Sequence, residues 1–543
     1  MVHHWILSLQ INNNFFPFSF TKKSIKTVVN ESPPFLSELD VEKNLLQFVF
    51  IILSPLRLKE MSELMEQYSE FYESEYAQSP PAYVLCMLSK KIRWKPKDVN
   101  GFGLYLAGNN KLLTEQRLTD EDVLILFMVL KNSSIFVVIN LSYNNLGDKS
   151  AQAIAAYLQE NTTLQKMNLM CNEIEEEGAE ALAKSFGVVS DFLSIYMSIY
   201  ISFYLSLYAH IYLSIYLSIY LSIYLSIYQY MSVCLSIDLS VYIFAQRNRT
   251  LQTLIMNGNK IGKKGALAFA QVLQINTGLK ELDLGHTDQT IDSVIALAVV
   301  LNFTNSTLLN LNISRPLLKG QDQECATVHI GQLLKNNKTL KELHLAKVDI
   351  RDFGATRISE SLIYNTTLTH LDLSSNRIGE DGIKVLGDAI STSNCLKYLD
   401  IGYNRIKDPG VKYIAEMLER NTSLKTLVLV YNCFGSPGLL SLISTLKDSN
   451  DTLTALFIWG NEFNPDASKE VAQLLKNNRL LSENIDVMPY QVDGFYYLSQ
   501  LNHHPNRHFY WAPSYGDDVP HFQIYGDGIK KRPAFNLHFK SLR

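Results

Sequence analysis

The sequence predicts an α/β solenoid: a right-handed horseshoe of strand–helix units, with parallel strands on the concave face and helices on the convex face. Three observations carry the prediction. First, residues 368–378 read Leu-Thr-His-Leu-Asp-Leu-Ser-Ser-Asn-Arg-Ile, and leucines at alternate positions describe a short strand that buries every second side chain. Second, near-copies of this stretch recur at an almost fixed interval. With its Asn as ruler, Asn376, Asn404, Asn432 and Asn461 stand 28, 28 and 29 residues apart. Backward from Asn376 the equivalent positions are Val348, Pro316, Thr287 and Asn259, at intervals of 28, 32, 29 and 28, and Asn172 and Asn144 are again 28 apart. Third, each unit continues with Gly and acidic residues and then a helical apolar period. Gly379, Glu380, Asp381 and Gly382 are followed in this way by Ile383, Leu386, Ala389 and Ile390.

One such unit cannot cover its own apolar face, so units must stack. The ruler Asn carries donors and an acceptor, which suits backbone groups at a turn inside the stack. Units close on an Asn-Thr-Thr-Leu-like corner, at 161–164, 365–368 and 421–424. The motif Leu-x-x-Leu-x-Leu-x-x-Asn, with this period and a full helix per unit, resembles the ribonuclease-inhibitor type of leucine-rich repeat. That resemblance implies the horseshoe.

At 543 residues, length alone suggests three or four domains, but a solenoid grows without splitting. Lys and Arg number 49 against 53 Asp and Glu, a net charge of −4, so no global charge draws the chain to nucleic acid or membrane. Cys86, Cys171, Cys234, Cys325, Cys395 and Cys433 are scattered without a Cys-x-x-Cys pair, which indicates neither zinc nor a disulfide framework. The first ten residues lack a basic start and a long apolar core, so no secretory signal is expected and the chain reads as intracellular. The triplets at Asn161, Asn365 and Asn421 match a glycosylation acceptor. They are also the helix-to-strand corner of each unit, and without a signal peptide the corner reading takes precedence.

Residues 1–60 fit nothing downstream and are expected to be a disordered or mis-predicted extension before a start at Met61. Residues 61–103 read as an N-terminal helical cap. The repeats run over 104–481, beginning with an atypical unit at 104–112 and a helix capped at Thr119 that runs to about Leu130. They are interrupted by 187–244, where Ser-Ile-Tyr-Leu recurs with Ser at 194, 198, 202, 206, 214, 218, 222 and 226. This block reads as a translated tetranucleotide repeat, a disordered insert or a membrane span. The ruler favours the first: Asn172 and Asn259 stand 87 apart, and without these 58 residues they would stand 29 apart. Residues 482–520 read as a C-terminal cap, 486–515 folding back as an aromatic hairpin over Leu456 and Ile458. A flexible basic tail, 521–543, follows.

Catalytic chemistry is not expected. The run from Gly258 to Lys264 faintly resembles a phosphate loop, but it is one residue short and places Lys264 where Ser or Thr is needed. His503, His504 and His508 come without a companion ligand set, so no metal is expected. No Ser-His-Asp or Cys-His set follows a motif rule. The chain therefore reads as non-enzymatic, with no catalytic residue, no metal and no cofactor.

The remaining signal is surface. Side chains between the strand leucines point to the concave face. Those positions hold Glu281, Asp283, Glu342, His344, His370, Asp372, Tyr398, Asp400 and Tyr403, then Val428, Val430, Tyr431, Phe457 and Trp459. Carboxylates are expected to face solvent in the central units, and aromatics and Val in the last ones. Tyr and Trp are common interface anchors, so this face is the candidate binding site for a protein partner.

Further segments narrow the resemblance. They are 314–318 (Ser-Arg-Pro-Leu-Leu) with 327–330, 486–494 (Asp-Val-Met-Pro-Tyr-Gln-Val-Asp-Gly) with 508–516, and 116–122 (Gln-Arg-Leu-Thr-Asp-Glu-Asp). Over about 61–186 and 245–520 the chain resembles a non-enzymatic group within the leucine-rich-repeat family. The resemblance implies a scaffold of cytoplasm and nucleus, linked to the nucleolus and to cell differentiation. One alternative is a regulator of a small GTPase or other enzyme, although GTPase activators with this repeat carry an acidic tail and this chain ends basic. Another is an RNA-associated factor in ribosome biogenesis, acting through Lys530, Lys531, Arg532, Lys540 and Arg543. Neither a small-molecule substrate nor a membrane partner is expected.

Overall fold

The computed structural model describes residues 62–76, 79–81, 84–85, 88, 102–109, 117–187, 248–320 and 322–501. The extension 1–60, the Ser-Ile-Tyr-Leu block, His503, His504, His508 and the basic end lie outside them. The chain divides into two compact units, 1–63 and 64–543, and the fold below is that of the second.

Eleven strands form one parallel sheet in sequence order. They are β1 (Phe102–Tyr105), β2 (Phe136–Asn140), β3 (Lys166–Asn168), β4 (Thr253–Ile255), β5 (Glu281–Asp283) and β6 (Asn310–Asn312). Then come β7 (Glu342–His344), β8 (His370–Asp372), β9 (Tyr398–Asp400), β10 (Thr426–Val428) and β11 (Ala455–Phe457). A helix follows each strand from β2 onward, and another, Asp120–Leu130, lies between β1 and β2. The first strand starts two residues earlier than the sequence suggested and enters the sheet with a register shift after Phe102. From β4 to β11 the central leucines lie in one row, Leu254, Leu282, Leu311, Leu343, Leu371, Leu399, Leu427 and Leu456, all fully buried. The helices lay their apolar stripes over this row. In Glu380–Ser391, Ile383, Leu386, Ala389 and Ile390 are buried while Asp381, Lys384 and Asp388 are exposed.

The ruler Asn is the bolt between neighbours. Asn376 donates from Nδ2 to Leu345 O and Leu373 O, both at 2.9 Å, and its Oδ1 accepts from the amides of Val348 and Ile350, both at 3.0 Å. Each such Asn thus satisfies backbone groups of two units at once, and all but the half-buried Asn461 do so out of reach of water. Where the ruler is Thr287, its hydroxyl and Gln289 Nε2 both donate to Leu284 O at 2.6 Å, so two side chains share the task.

A second ladder joins the corners. Asn248, Asn276, Asn305, Asn337, Asn365, Asn421 and Asn450 each donate to a carbonyl of the preceding unit at 2.7–3.0 Å. Asn161, Asn365 and Asn421 are buried, so these Nδ2 groups serve the corner rather than an exposed acceptor site. Helix starts are linked too. Asp352 Oδ1 accepts from Gly379 N at 2.7 Å and Gly382 N at 3.1 Å, placing an anion at the positive end of the next helix. A Cβ on Gly382 would come within 2.5 Å of that oxygen, so the close approach requires glycine.

The repeat closes across the Ser-Ile-Tyr-Leu block. Strands β3 and β4 pair directly, Lys166 with Thr253 and Asn168 with Ile255. Asn248 Nδ2 reaches Leu158 O at 2.7 Å, and Asn248 N donates to Ser185 O at 3.1 Å. Removing 187–244 would make that last bond a five-residue closure. Asn305 N to Val300 O at 2.9 Å and Asn450 N to Thr445 O at 2.8 Å are the same closure in intact units. A protein lacking 187–244 is therefore expected to stay soluble and to melt no lower than the full chain by calorimetry. An insoluble deletion protein beside a soluble parent would sink this expectation.

The C-terminal end of the stack is closed by different residues. Arg479 stands where the next corner Asn would be, donating from Nε to Leu446 O at 2.7 Å and from Nη1 to Leu453 O at 2.8 Å. Asp486 accepts from Ile458 N at 2.8 Å and Trp459 N at 3.0 Å, where a twelfth strand would otherwise bond. Ile485 bridges to Leu456, and Ile485 and Val487 are buried. An antiparallel hairpin follows, β12 (Val487–Val492) and β13 (Phe495–Gln500), packed on the helix Pro465–Lys476. Its turn holds Asp493 and Gly494 at φ 49° and 82°, the positive pair that a two-residue hairpin needs. The expected fold-back over 486–515 is corrected only in part: the hairpin and Val487 are where the sequence placed them, Tyr490 and Phe495 do not cover the end strand, and 502–515 lie outside the described residues. Tyr490 and Phe495 are 47% and 57% exposed, and the end strand is covered by Ile485, Asp486 and Val487 instead.

Candidate partner-binding face

The strand register sorts the outward side chains into columns. The first runs Glu281, Asn310, Glu342, His370, Tyr398, and the second runs Asp283, Asn312, His344, Asp372, Asp400 and then Val428 and Phe457. The expectation that the central carboxylates stand open to solvent is corrected. Glu281, Asp283, Glu342, His344, His370, Asp372 and Asp400 are buried, and Tyr398 is half-buried.

The hydrogen bonds explain the second column. Asp283, Asp372 and Asp400 accept through Oδ1 from the amides of Gly285, Ser374 and Gly402 at 2.8–2.9 Å. Asn140, Asn168 and Asn312 do the same for Ser142, Met170 and Ser314. Each is an Asx turn that stops its strand, and Asn and Asp both serve because the turn itself uses only the acceptor oxygen. Asp283 also accepts from Asn312 Nδ2 at 2.8 Å. An Asp at this position looks like surface charge in the sequence because its bond partner, an amide two residues on, leaves no mark in composition.

His344 breaks that column. Its Nδ1 lies 3.5 Å from Asp372 Oδ2 and its Nε2 4.0 Å from Glu342 Oε2. Burial alone would depress the imidazole, but hydrogen bonding to Asp372 and Glu342 and their charges outweigh it and raise it to about 9. Burial likewise opposes the charge on Asp372, and the partnership with His344 still holds its carboxyl below the ordinary value. The imidazolium is thus the counter-ion of two buried carboxylates. The ring continues into an aromatic row: His344 to His370 at 4.8 Å, and His370 stacked on Tyr398 at 3.9 Å and 8°.

The expectation that Val428, Val430 and Phe457 face solvent in the last units is corrected too, since they are buried with Ala455 in one apolar cluster against which Tyr398 packs. Trp459 is half-buried. Tyr403 and Tyr431 are the exposed members, at 45% and 43%, and their rings stack at 4.7 Å and 15°. The residue before each ruler position lies in the left-handed region: Tyr143, Cys171, His286, Arg315, Lys347, Ser375, Tyr403 and Tyr431 have φ between 51° and 61°, and Gly258 and Gly460 join them. This costs a non-glycine residue roughly 1–2 kcal/mol. In the last units it turns the side chain onto the rim beside its neighbours, and the Tyr431 ring lies over Gly460, where a Cβ would meet it at 2.4 Å. On the same rim Arg315 Nη1 lies 3.1 Å from His286 Nδ1, and burial, then the charges of Arg315 and Lys347, lower that imidazole to about 4. The ruler alone could have flagged this column, since it is always one residue before the Asn.

The faint phosphate loop is an ordinary unit. Asn259 sits in the ruler ladder, and Glu176 Oε1 accepts from Lys264 N at 3.4 Å, so a carboxylate stands where an anion would. Among the described residues no group of three His, Cys, Asp or Glu is placed to hold a metal, and no helix is long and apolar enough to cross a membrane.

These features define a leucine-rich-repeat solenoid. Residues 136–155, 160–183, 247–270, 364–387, 392–415 and 420–442 match the family model described as a leucine-rich repeat. The chain is similar to leucine-rich repeat-containing protein 34 of Mus musculus, 38% identical over 43% of this chain and 56% of that protein. It is similar also to the proteins of that name from Rattus norvegicus, 37% identical over 39% and 51%, and Homo sapiens, 38% over 39% and 45%. The matches span about half the length of these relatives. Among solved structures, leiomodin-1 actin-binding site 2 matches at TM-score 0.24, with 21% identity over 30% of this chain and 90% of that one. An internalin from Listeria monocytogenes matches at 0.32, with 14% identity over 69% and 85%.

Proposed function

We propose that this protein is a non-enzymatic scaffold that binds a protein partner on the strand face and rim of its C-terminal units. The observation that carries the reading is the stacked, exposed Tyr403–Tyr431 pair, set on the rim by its positive-φ backbone, with Trp459 O accepting from Tyr431 N in the next unit. Preset aromatics offer a partner large contact area with little further loss of side-chain freedom. The buried members, Glu281, Asp283, Glu342, His344, Asp372, Asp400 and Phe457, set the shape of the floor beneath. Residence in cytoplasm and nucleus, including the nucleolus, and a link to differentiation belong to the same proposal. They rest on family resemblance, and fluorescence microscopy of the tagged chain tests the localisation.

Proximity labelling identifies partners, and pull-down with Tyr403→Ala/Tyr431→Ala tests the site. Truncating two interface tyrosines typically costs above 1 kcal/mol each, so capture of a direct partner is expected to fall about tenfold or more with an unchanged melting curve. Equal capture by the variant removes the rim as the site. A GTPase assay with the captured protein separates a passive scaffold from an enzyme regulator.

A further inference from the structure

We propose that the outer face of the C-terminal hairpin is a self-association surface that takes a second copy of this chain. Cross-strand pairs Met488–Ser499, Tyr490–Tyr497 and Val492–Phe495 lie on one face of the hairpin. Met488, Tyr490, Val492, Phe495 and Tyr497 are 47%, 47%, 48%, 57% and 40% exposed, one contiguous patch. The opposite face, with Pro489, Tyr496 and Leu498 half-buried, is the one turned to the helix Pro465–Lys476. A two-stranded hairpin is marginal by itself and gains from a third layer.

Neither strand holds a charged residue, from Val487 to Val492 or from Phe495 to Gln500. The patch therefore has no charge for a charged partner to complement, and none to repel its own copy. Sheets that stay single usually guard such strands with Lys or other charges. Here β12 has Pro489, but β13 has neither proline nor charge. The main sheet, by contrast, is closed at its end by Ile485 and Asp486. At the usual side-chain areas the five residues expose roughly 500 Å² per copy. Two copies face to face would bury at most roughly 1,000 Å² from these side chains, the floor for a specific interface, which corresponds to a weak and reversible dimer.

Sedimentation velocity of the full chain over a concentration series tests this. The weight-average mass is expected to climb toward that of a dimer. In Val492→Lys/Phe495→Glu the new charges face each other across the strands and preserve the hairpin, so that variant is expected to remain monomeric at every concentration with an unchanged melting temperature. Phe495→Ser, a milder change, is expected to shift the dissociation constant upward about tenfold. A wild-type chain that stays monomeric throughout overturns the proposal. So does a dimer that persists equally in both variants, or wild-type capture of other proteins by this face without self-association.

Discussion

Asn404→Ala is expected to lower the unfolding free energy by on the order of 2–4 kcal/mol, among the larger effects of a single substitution in the solenoid. Asn404 Nδ2 donates to Leu373 O and Ile401 O, both at 3.0 Å, and Oδ1 accepts from Ile378 N at 3.0 Å. All three partners are backbone groups inside the stack. Alanine would strand the Ile378 amide, at about 1–3 kcal/mol, and would take one of two donors from each carbonyl, since Asn376 Nδ2 also reaches Leu373 O and Asn432 Nδ2 also reaches Ile401 O. Asn404→Asp keeps the acceptor and loses both donors, so it is expected to fall at least as far at neutral pH, where it also buries a charge. Urea denaturation followed by circular dichroism reads both. If Asn404→Ala unfolds at the parent's midpoint, the ladder is not what joins the units. Thr287 shows why the loss is not simply tolerated, since that position recruits Gln289 to reach the same carbonyl.

His344→Ala is expected to cost on the order of 3–5 kcal/mol near neutral pH, because it leaves Glu342 and Asp372 buried without their counter-ion. The parent should also show a characteristic pH dependence. The His344 imidazole is raised from 6.5 to about 9 in the folded chain, so its stabilisation is complete below pH 6.5 and is lost as the pH rises through about 9. The Asp372 carboxyl is lowered, so its contribution is present above its unfolded value of 3.8 and disappears as the pH falls through its lower folded value. Stability from this cluster therefore peaks between roughly pH 4 and 6.5. His344→Gln removes the titrating group and should abolish the decline between 6.5 and 9. Thermal melts across that range check it, and a decline that survives in His344→Gln assigns it to another group.

The sequence by itself determined the architecture. Alternating leucines and an Asn every 28 or 29 residues can be read locally, because a strand of period two and a turn amide are properties of neighbours in the chain. The same ruler showed that the Ser-Ile-Tyr-Leu block divides one unit, and the β3–β4 pairing and the Asn248–Ser185 bond close the stack across it. It also pointed to the strand columns as the place to look for a binding face. Which members of those columns face solvent was decided by tertiary structure. Asp283, Asp372 and Asp400 look like surface charge in the sequence, yet they cap amides two residues ahead, and His344 looks like one more polar position, yet it neutralises carboxylates on its own and the next strand. Tyr403 and Tyr431 reach the rim because a positive φ turns them outward, while Phe457, placed by the same alternation, joins an apolar cluster. At the chain's end the sequence supplied the aromatics, but geometry set their use. A hairpin has two faces and the last helix covers one, so Val487 and the Asp486 carboxylate close the solenoid while Tyr490, Phe495 and Tyr497 stay exposed. Periodicity is a one-dimensional property and survives in the sequence, whereas burial depends on which side chains from distant positions meet, and only the folded chain brings them together.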